Sequence, residues 1–127
     1  MKVTRLHHLA LGAHDVEKVA VFYEDVLGLK KCGTQFTEEG NIRAIWLALG
    51  EGAVLMIEEL QEHRSIVVGR ASGVFLLAVE VSNPVRQSIK ATLGDELESE
   101  TEHTLYFRDP EGNRVAASSF PLFDEED

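Results

Sequence analysis

His8-Leu9-Ala10-Leu11 and Leu76-Leu77-Ala78-Val79 read as two copies of one opening. Each is followed by a helical pattern that stops at leucine-glycine, Leu27-Gly28 in the first copy and Leu93-Gly94 in the second. One supersecondary unit is therefore written twice, and the rest of the chain is arranged around that pairing. The copies differ at their first residue. Where the first has a histidine, whose imidazole is able to hold a metal ion, the second has a leucine.

Working outward from the first copy, residues alternate from Lys2 to Leu11, which predicts a strand with His7 and His8 on opposite faces. Asp15 is placed to cap a helix whose residues Val16, Val19, Ala20, Tyr23, Val26 and Leu27 make one apolar stripe, with Gly28 as a left-handed stop. Strands are expected over Lys30 to Phe36, Ile42 to Leu49 and Ala53 to Leu60, separated by the turn signals Glu38-Glu39-Gly40-Asn41 and Gly50-Glu51-Gly52. The first half is thus βαβββ. Gln61 to Ser72 has no clear period and reads as a linker.

The second copy repeats the order. Val74 to Val81 suits a buried strand, and Asn83-Pro84 suits a cap with proline in the first helical turn. The helix carries Val85, Ile89 and Leu93 inward. Strands near Glu96 to Ser99, His103 to Arg108 and Arg114 to Ser119 complete it, the last two joined by Asp109-Pro110-Glu111-Gly112-Asn113. One domain over 1–127 is expected, with module one at about 1–60, linker 61–72, module two at about 73–120 and an acidic tail at 121–127.

Composition narrows the function classes. The 127 residues carry 22 acidic side chains against 12 Lys and Arg, a net charge of −10 that repels phosphate backbones and argues against nucleic acid. The charge is open to two readings, colloidal stability or preference for a cationic partner. No apolar run approaches the roughly 20 residues of a membrane span, so a soluble, cytoplasmic protein is expected. Cys32 is the sole cysteine and is read as a small packed side chain rather than a nucleophile. Phosphate-cradling glycine loops, a Gly-x-Ser-x-Gly elbow and paired-cysteine metal motifs are missing from the sequence.

The doubled βαβββ pattern, the opening Leu6-His7-His8-Leu9-Ala10-Leu11, the helix end Phe22-Tyr23-Glu24-Asp25-Val26-Leu27-Gly28-Leu29 and the late Tyr106-Phe107-Arg108-Asp109-Pro110-Glu111-Gly112-Asn113-Arg114 together resemble the vicinal oxygen chelate superfamily. That superfamily includes glyoxalase I, fosfomycin- and bleomycin-resistance proteins and extradiol dioxygenases. The resemblance implies an α+β fold of two βαβββ modules whose curved mixed sheets form a cleft, with helices on the outer face. It implies a homodimer as well. Its enzymes hold a divalent metal with four side chains, two per module, from the first and last strand of each.

By that resemblance the module-one positions fall on His8 and Glu58, and the module-two positions fall on Leu76 and Ala116. Half of the donors are replaced by hydrocarbon, so no metal cofactor is expected, with His8 and Glu58 as vestigial candidates and Ni, Zn, Mn or Fe as the minority alternative. Swapping modules between chains restores nothing, because His8 and Glu58 still meet Leu76 and Ala116. His14, His63 and His103 read as surface histidines. Period-two counting adds Ala44, Trp46, Met56, Thr104 and Tyr106 to the cleft face, Trp46 and Tyr106 being open to a second reading as core residues.

Three functions compete. The first is metal-independent small-molecule binding like that of bleomycin-resistance proteins, sequestering an apolar or cationic ligand. The second is a metal-dependent glyoxalase-type lyase or isomerase, or a dioxygenase-related activity, which needs donors missing at Leu76 and Ala116. The third keeps His8 and Glu58 as a metal-free acid/base pair.

Overall fold

A computed structural model describes residues 2–62 and 65–122, and its contacts divide the chain into two compact units, Met1–Ser65 and Ile66–Asp127. His63 and the acidic residues 124–127 lie outside the described residues.

In unit one, β1 (His8–Ala13), α1 (Val16–Leu27), β2 (Lys30–Phe36), β3 (Ile42–Gly50) and β4 (Ala53–Glu59) follow the expected order. The sheet runs β1-β4-β3-β2, with β1 parallel to β4 and the other pairs antiparallel. Strand β1 begins six residues later than alternation from Lys2 predicts. Val3 and Leu6 are 70% and 57% exposed, so the alternating pattern there has no buried face to serve. The helix meets its expectation: Asp15 Oδ1 accepts from the Lys18 N–H at 3.1 Å, and Gly28 at φ 70° returns its N–H to Glu24. Val16, Val19, Ala20 and Tyr23 of α1 are buried, as are Leu55 and Ile57 of β4 and Ile45 and Leu47 of β3. With α1 packed on β1, β3 and β4, these residues form the core on one sheet face.

Two local devices in this sheet were invisible to period counting. The β2–β3 register slips between Lys31 and Gly33, which leaves Cys32 as an extra, exposed residue at a bulge rather than a packed one. Gly33 sits opposite Trp46, where a Cβ would lie 3.0 Å from the indole Cε3. Glycine is what lets the indole lie flat against β2.

In unit two, β5 (Leu77–Glu80), α2 (Asn83–Leu93), a 3₁₀ turn (Gly94–Glu96), β6 (Ser99–Glu100), β7 (Thr104–Arg108) and β8 (Arg114–Ser118) repeat the plan, with sheet order β5-β8-β7-β6. Again the first and last strands pair in parallel. Several expectations need correction. Strand β5 is four residues long and lies at the sheet edge, with Val74 62% exposed, so the apolar run 74–81 marks a short edge strand and not a long buried one. Ser82, not Asn83, caps α2, because its Oγ accepts from the Val85 N–H at 3.3 Å; Pro84 then occupies the first turn. Val85 is 46% exposed, and only Ile89 and Leu93 of the expected stripe are buried. Strand β6 starts at Ser99, since the chain spends Gly94–Glu96 in the 3₁₀ turn.

The β7–β8 connection is fixed by Asp109, which is 4% exposed. Its Oδ1 accepts from the N–H groups of Glu111 and Asn113, both at 2.9 Å, and its Oδ2 accepts from Asn113 Nδ2 at 3.0 Å. Gly112 supplies φ 94° and leaves room for Ile66, whose Cγ1 would lie 2.9 Å from a Cβ there. The register that results pairs Arg108 with Arg114, Tyr106 with Ala116 and Thr104 with Ser118.

Candidate functional site

Each sheet has one face covered by its helix and one turned away, and alternation sorts the site candidates onto the second face. In unit one that face carries His8, Ala10 and Gly12 from β1, Val54, Met56 and Glu58 from β4, and Ala44, Trp46 and Ala48 from β3. Register then fixes the rows. His8 stands opposite Val54, while Ala10, Met56, Trp46 and Gly33 form the next row, and Gly12, Glu58, Ala44 and Gln35 the one after.

His8 and Glu58 share a face but are not brought together. The partner of Glu58 is Gly12, four residues beyond His8, which separates the two side chains by about 13 Å along the strand direction. Glu58 instead has Arg43 as its neighbour, Nη2 to Oε1 at 3.9 Å, with both side chains partly in water. A His8–Glu58 acid/base pair has no geometric support.

The partner that His8 does have is His7. Their Nδ1 atoms are 2.9 Å apart, with the rings edge to face. The His7 carbonyl accepts from the Val54 N–H at 3.0 Å, so His7 shares in the β1–β4 pairing, yet the two rings meet at their Nδ1 atoms rather than standing apart as alternation predicts. One Nδ1 carries the shared proton and the other accepts it. Trp46 is half-buried, and its Nε1 is buried without a hydrogen-bond partner among the described residues.

In unit two, the face away from α2 carries Ala78 and Glu80 from β5, Thr104, Tyr106 and Arg108 from β7, and Arg114, Ala116 and Ser118 from β8. Leu76 immediately precedes β5, two residues before the Ala78 that pairs with Ala116. Thr104 Oγ1 and Ser118 Oγ are 2.7 Å apart, so the threonine hydroxyl is already engaged. His103 is half-buried with its ring 5.6 Å from Phe120, and His14 is exposed.

Sequence reading missed a charged cluster beside Tyr106. Glu98 takes Arg114 Nε on Oε1 at 2.9 Å and Arg108 Nε on Oε2 at 3.1 Å, and the Arg114 guanidinium lies 4.4 Å from the Tyr106 ring centroid. The Arg114 hydrogen bond, then that of Arg108, holds the Glu98 carboxyl below its ordinary value of 4.5. A lowered folded-state value gives stability that is present above the unfolded value and is lost as pH falls through the folded one. Glu98→Gln is therefore expected to be less stable than wild type near neutrality, with the gap closing as pH drops below 4.5. Urea unfolding at a series of pH values reads this directly; a gap that is constant with pH would refute it.

Comparison with known proteins places the fold. The family model described as the Glyoxalase/Bleomycin resistance protein/Dioxygenase superfamily matches residues 5–117. A mitochondrial methylmalonyl-CoA epimerase of Mus musculus is 28% identical over 86 residues, covering 65% of this chain and 48% of that protein, so the chain spans about half the length of this curated relative. Among solved structures, a lactoylglutathione lyase from Agrobacterium tumefaciens superposes with a TM-score of 0.63 at 22% identity, covering 93% of this chain and 95% of the other. A glyoxalase/dioxygenase from Nostoc punctiforme gives 0.76 at 16% identity, covering 94% and 93%. At such identities the structures share the fold alone. Among the described residues, no group of three or more His, Cys, Asp or Glu side chains is placed to hold a metal ion, and no helix is long and apolar enough to cross a membrane.

Proposed function

We propose, from the fact that the chain belongs to the glyoxalase/bleomycin resistance protein/dioxygenase superfamily, that it is a metal-independent member that binds and sequesters a small molecule. The observation that carries this reading is the chemistry of the positions matching the family's metal ligands. Leu76 and Ala116 of unit two offer only hydrocarbon. In unit one the relation between Leu76 and Ala116, one two-residue step apart across the parallel strand pair, corresponds to His8 and Met56 rather than to His8 and Glu58. We therefore read Met56 as the second unit-one position. An imidazole, a thioether and two hydrocarbons do not fit a hard or borderline divalent ion, so no catalytic step is assigned to one.

What those residues offer instead is a surface. Met56 and the half-buried Trp46 are row neighbours, a polarisable thioether beside an indole, suited to a planar or apolar molecule, and Glu58 in the next row suits a cationic group. The homodimer implied by the family resemblance, and the cytoplasmic setting expected from the sequence, go with this reading. A second reading, a metal-dependent lyase or isomerase using His8 and Glu58 with further ligands, draws support from the names of the epimerase and lyase relatives.

Isothermal titration of chelator-treated protein with Ni²⁺, Zn²⁺ and Mn²⁺, repeated on His8→Ala and Glu58→Ala, separates the two. The proposal expects no micromolar binding, or binding indifferent to both substitutions. Micromolar or tighter binding that both substitutions abolish would overturn it in favour of the enzyme.

A further inference from the structure

Within the face of unit two that bears Tyr106, Arg108 and Arg114 are directly opposite each other on β7 and β8. Like charges at opposed positions of an antiparallel pair repel, and among the described residues the carboxylate bonded to them is that of Glu98, which each guanidinium reaches through Nε. Two positive charges against one negative leave the cluster with a net positive charge in a chain whose own net charge is −10.

The donor inventory is unequal. Arg108 Nη1 is spent on the carbonyls of Val67 and Gly112, both at 2.9 Å, and serves to tie segments of unit two together. Arg114 makes no other hydrogen bond among the described residues, so both of its terminal nitrogens remain open, although its side chain is only 28% exposed. Its plane is held at one edge by Glu98 and on one side by the Tyr106 ring. A guanidinium fixed in this way presents a rigid two-donor fork, the geometry that carboxylate and phosphoryl oxygens accept.

We infer that Arg114, positioned by Glu98 and Tyr106 and supported by the charge of Arg108, is the anchor of an oxyanion site on unit two that takes the carboxylate or phosphoryl group of a small molecule. Arg108 and Glu98 are positioning residues. The cluster's repulsion is relieved when a second anion joins Glu98, so the ligand supplies the missing negative charge. The net acidity of the chain keeps weakly matched polyanions away, and the fork selects a single compact anionic group.

The site does not depend on whether His8 binds a metal, so the metal titration and the following one fail separately. Inorganic phosphate and acetate are titrated into uniformly ¹⁵N-labelled protein while the arginine Nε–H resonances are followed, on wild type, Arg114→Gln, Arg114→Lys and the unit-one control Arg43→Gln. The expected result is a saturable shift of the Arg114 Nε–H resonance, and of that of Arg108 on the same carboxylate, with a dissociation constant on the order of 1 mM; read at Arg108 in the position-114 variants, the affinity falls tenfold or more in Arg114→Gln, and Arg43→Gln leaves it unchanged. Arg114→Lys keeps the charge and loses the fork, so it falls between, and circular dichroism of this variant checks that the fold survives. Preference for phosphate identifies a phosphoryl ligand and preference for acetate a carboxylate. Linear shifts that vanish with added salt, equal binding by Arg114→Gln, or wild-type affinity in Arg114→Lys would each overturn the assignment.

Discussion

Asp109→Ala is expected to lose about 3 kcal/mol of unfolding free energy. The carboxylate is buried and accepts from two backbone N–H groups and one side-chain amide, all at 2.9 to 3.0 Å. Removing it strips charge-assisted hydrogen bonds and leaves the N–H groups of Glu111 and Asn113 without that acceptor inside a tight turn. A hydrogen bond to a charged group contributes about 1.5 to 3 kcal/mol singly, and three sharing one acceptor sum to less than three times that. The turn also sets the β7–β8 register, and through it the pairing of Phe107 with Val115, both 0% exposed. Asp109→Asn is expected to lose less than alanine, because one oxygen can still accept while its NH₂ opposes the Asn113 amide, donor to donor. Urea unfolding followed by far-ultraviolet circular dichroism measures both. A loss under about 1 kcal/mol for the alanine variant would mean that the backbone bonds Asp109 N–H to Asn113 O and Gly112 N–H to Asp109 O hold the turn unaided.

That turn is also where sequence reading worked best. In Asp109-Pro110-Glu111-Gly112-Asn113 proline pre-sets the turn and glycine takes positive φ, both local effects, and the structure adds the Asp109 carboxylate as the clamp. The same locality made α1 legible from Asp15 to Gly28. The two sheets, and the repeat of one topology in both, followed from the doubled pattern.

What failed depended on partners distant in sequence. The run Val74 to Val81 looks buried because nothing in it says that β5 will be an edge strand. Alternation set the rings of His7 and His8 apart, and nothing in it anticipates their Nδ1 atoms meeting at 2.9 Å where β1 begins. Met56 and Glu58 are two residues apart and lie on the same face, so periodicity does not distinguish them; the pairing of His8 with Val54 sets Met56 one two-residue step from His8 and Glu58 two. The Glu98, Arg108 and Arg114 cluster joins residues 10 and 16 positions apart, through a segment that period counting assigned to a strand interior.

The choice between Met56 and Glu58 has a consequence large enough to measure. Met56→Glu is expected to raise the affinity of the protein for Zn²⁺ at least tenfold over wild type, with His8→Ala in the same background abolishing the gain. Ala10, the pair of Met56, is two residues from His8, which makes His8 and position 56 diagonal neighbours on one sheet face. Diagonal neighbours have Cα atoms roughly 7 to 8 Å apart, a span that an imidazole and a glutamate side chain can close onto one ion at about 2.0 to 2.2 Å from each donor. Glu58 is one two-residue step further along and is engaged with Arg43, so Glu58→Ala in the Met56→Glu background should leave the new affinity in place. Two donors with water filling the remaining positions bind weakly in absolute terms, so the readout is the ratio between variants and not a tight constant. Zinc titration by calorimetry at fixed pH gives that ratio. If Met56→Glu gains nothing while Glu58→Ala lowers whatever affinity the wild type has, the ligand position of unit one belongs to Glu58 after all, and the strand pairing of β1 with β4 would have to differ by a two-residue step.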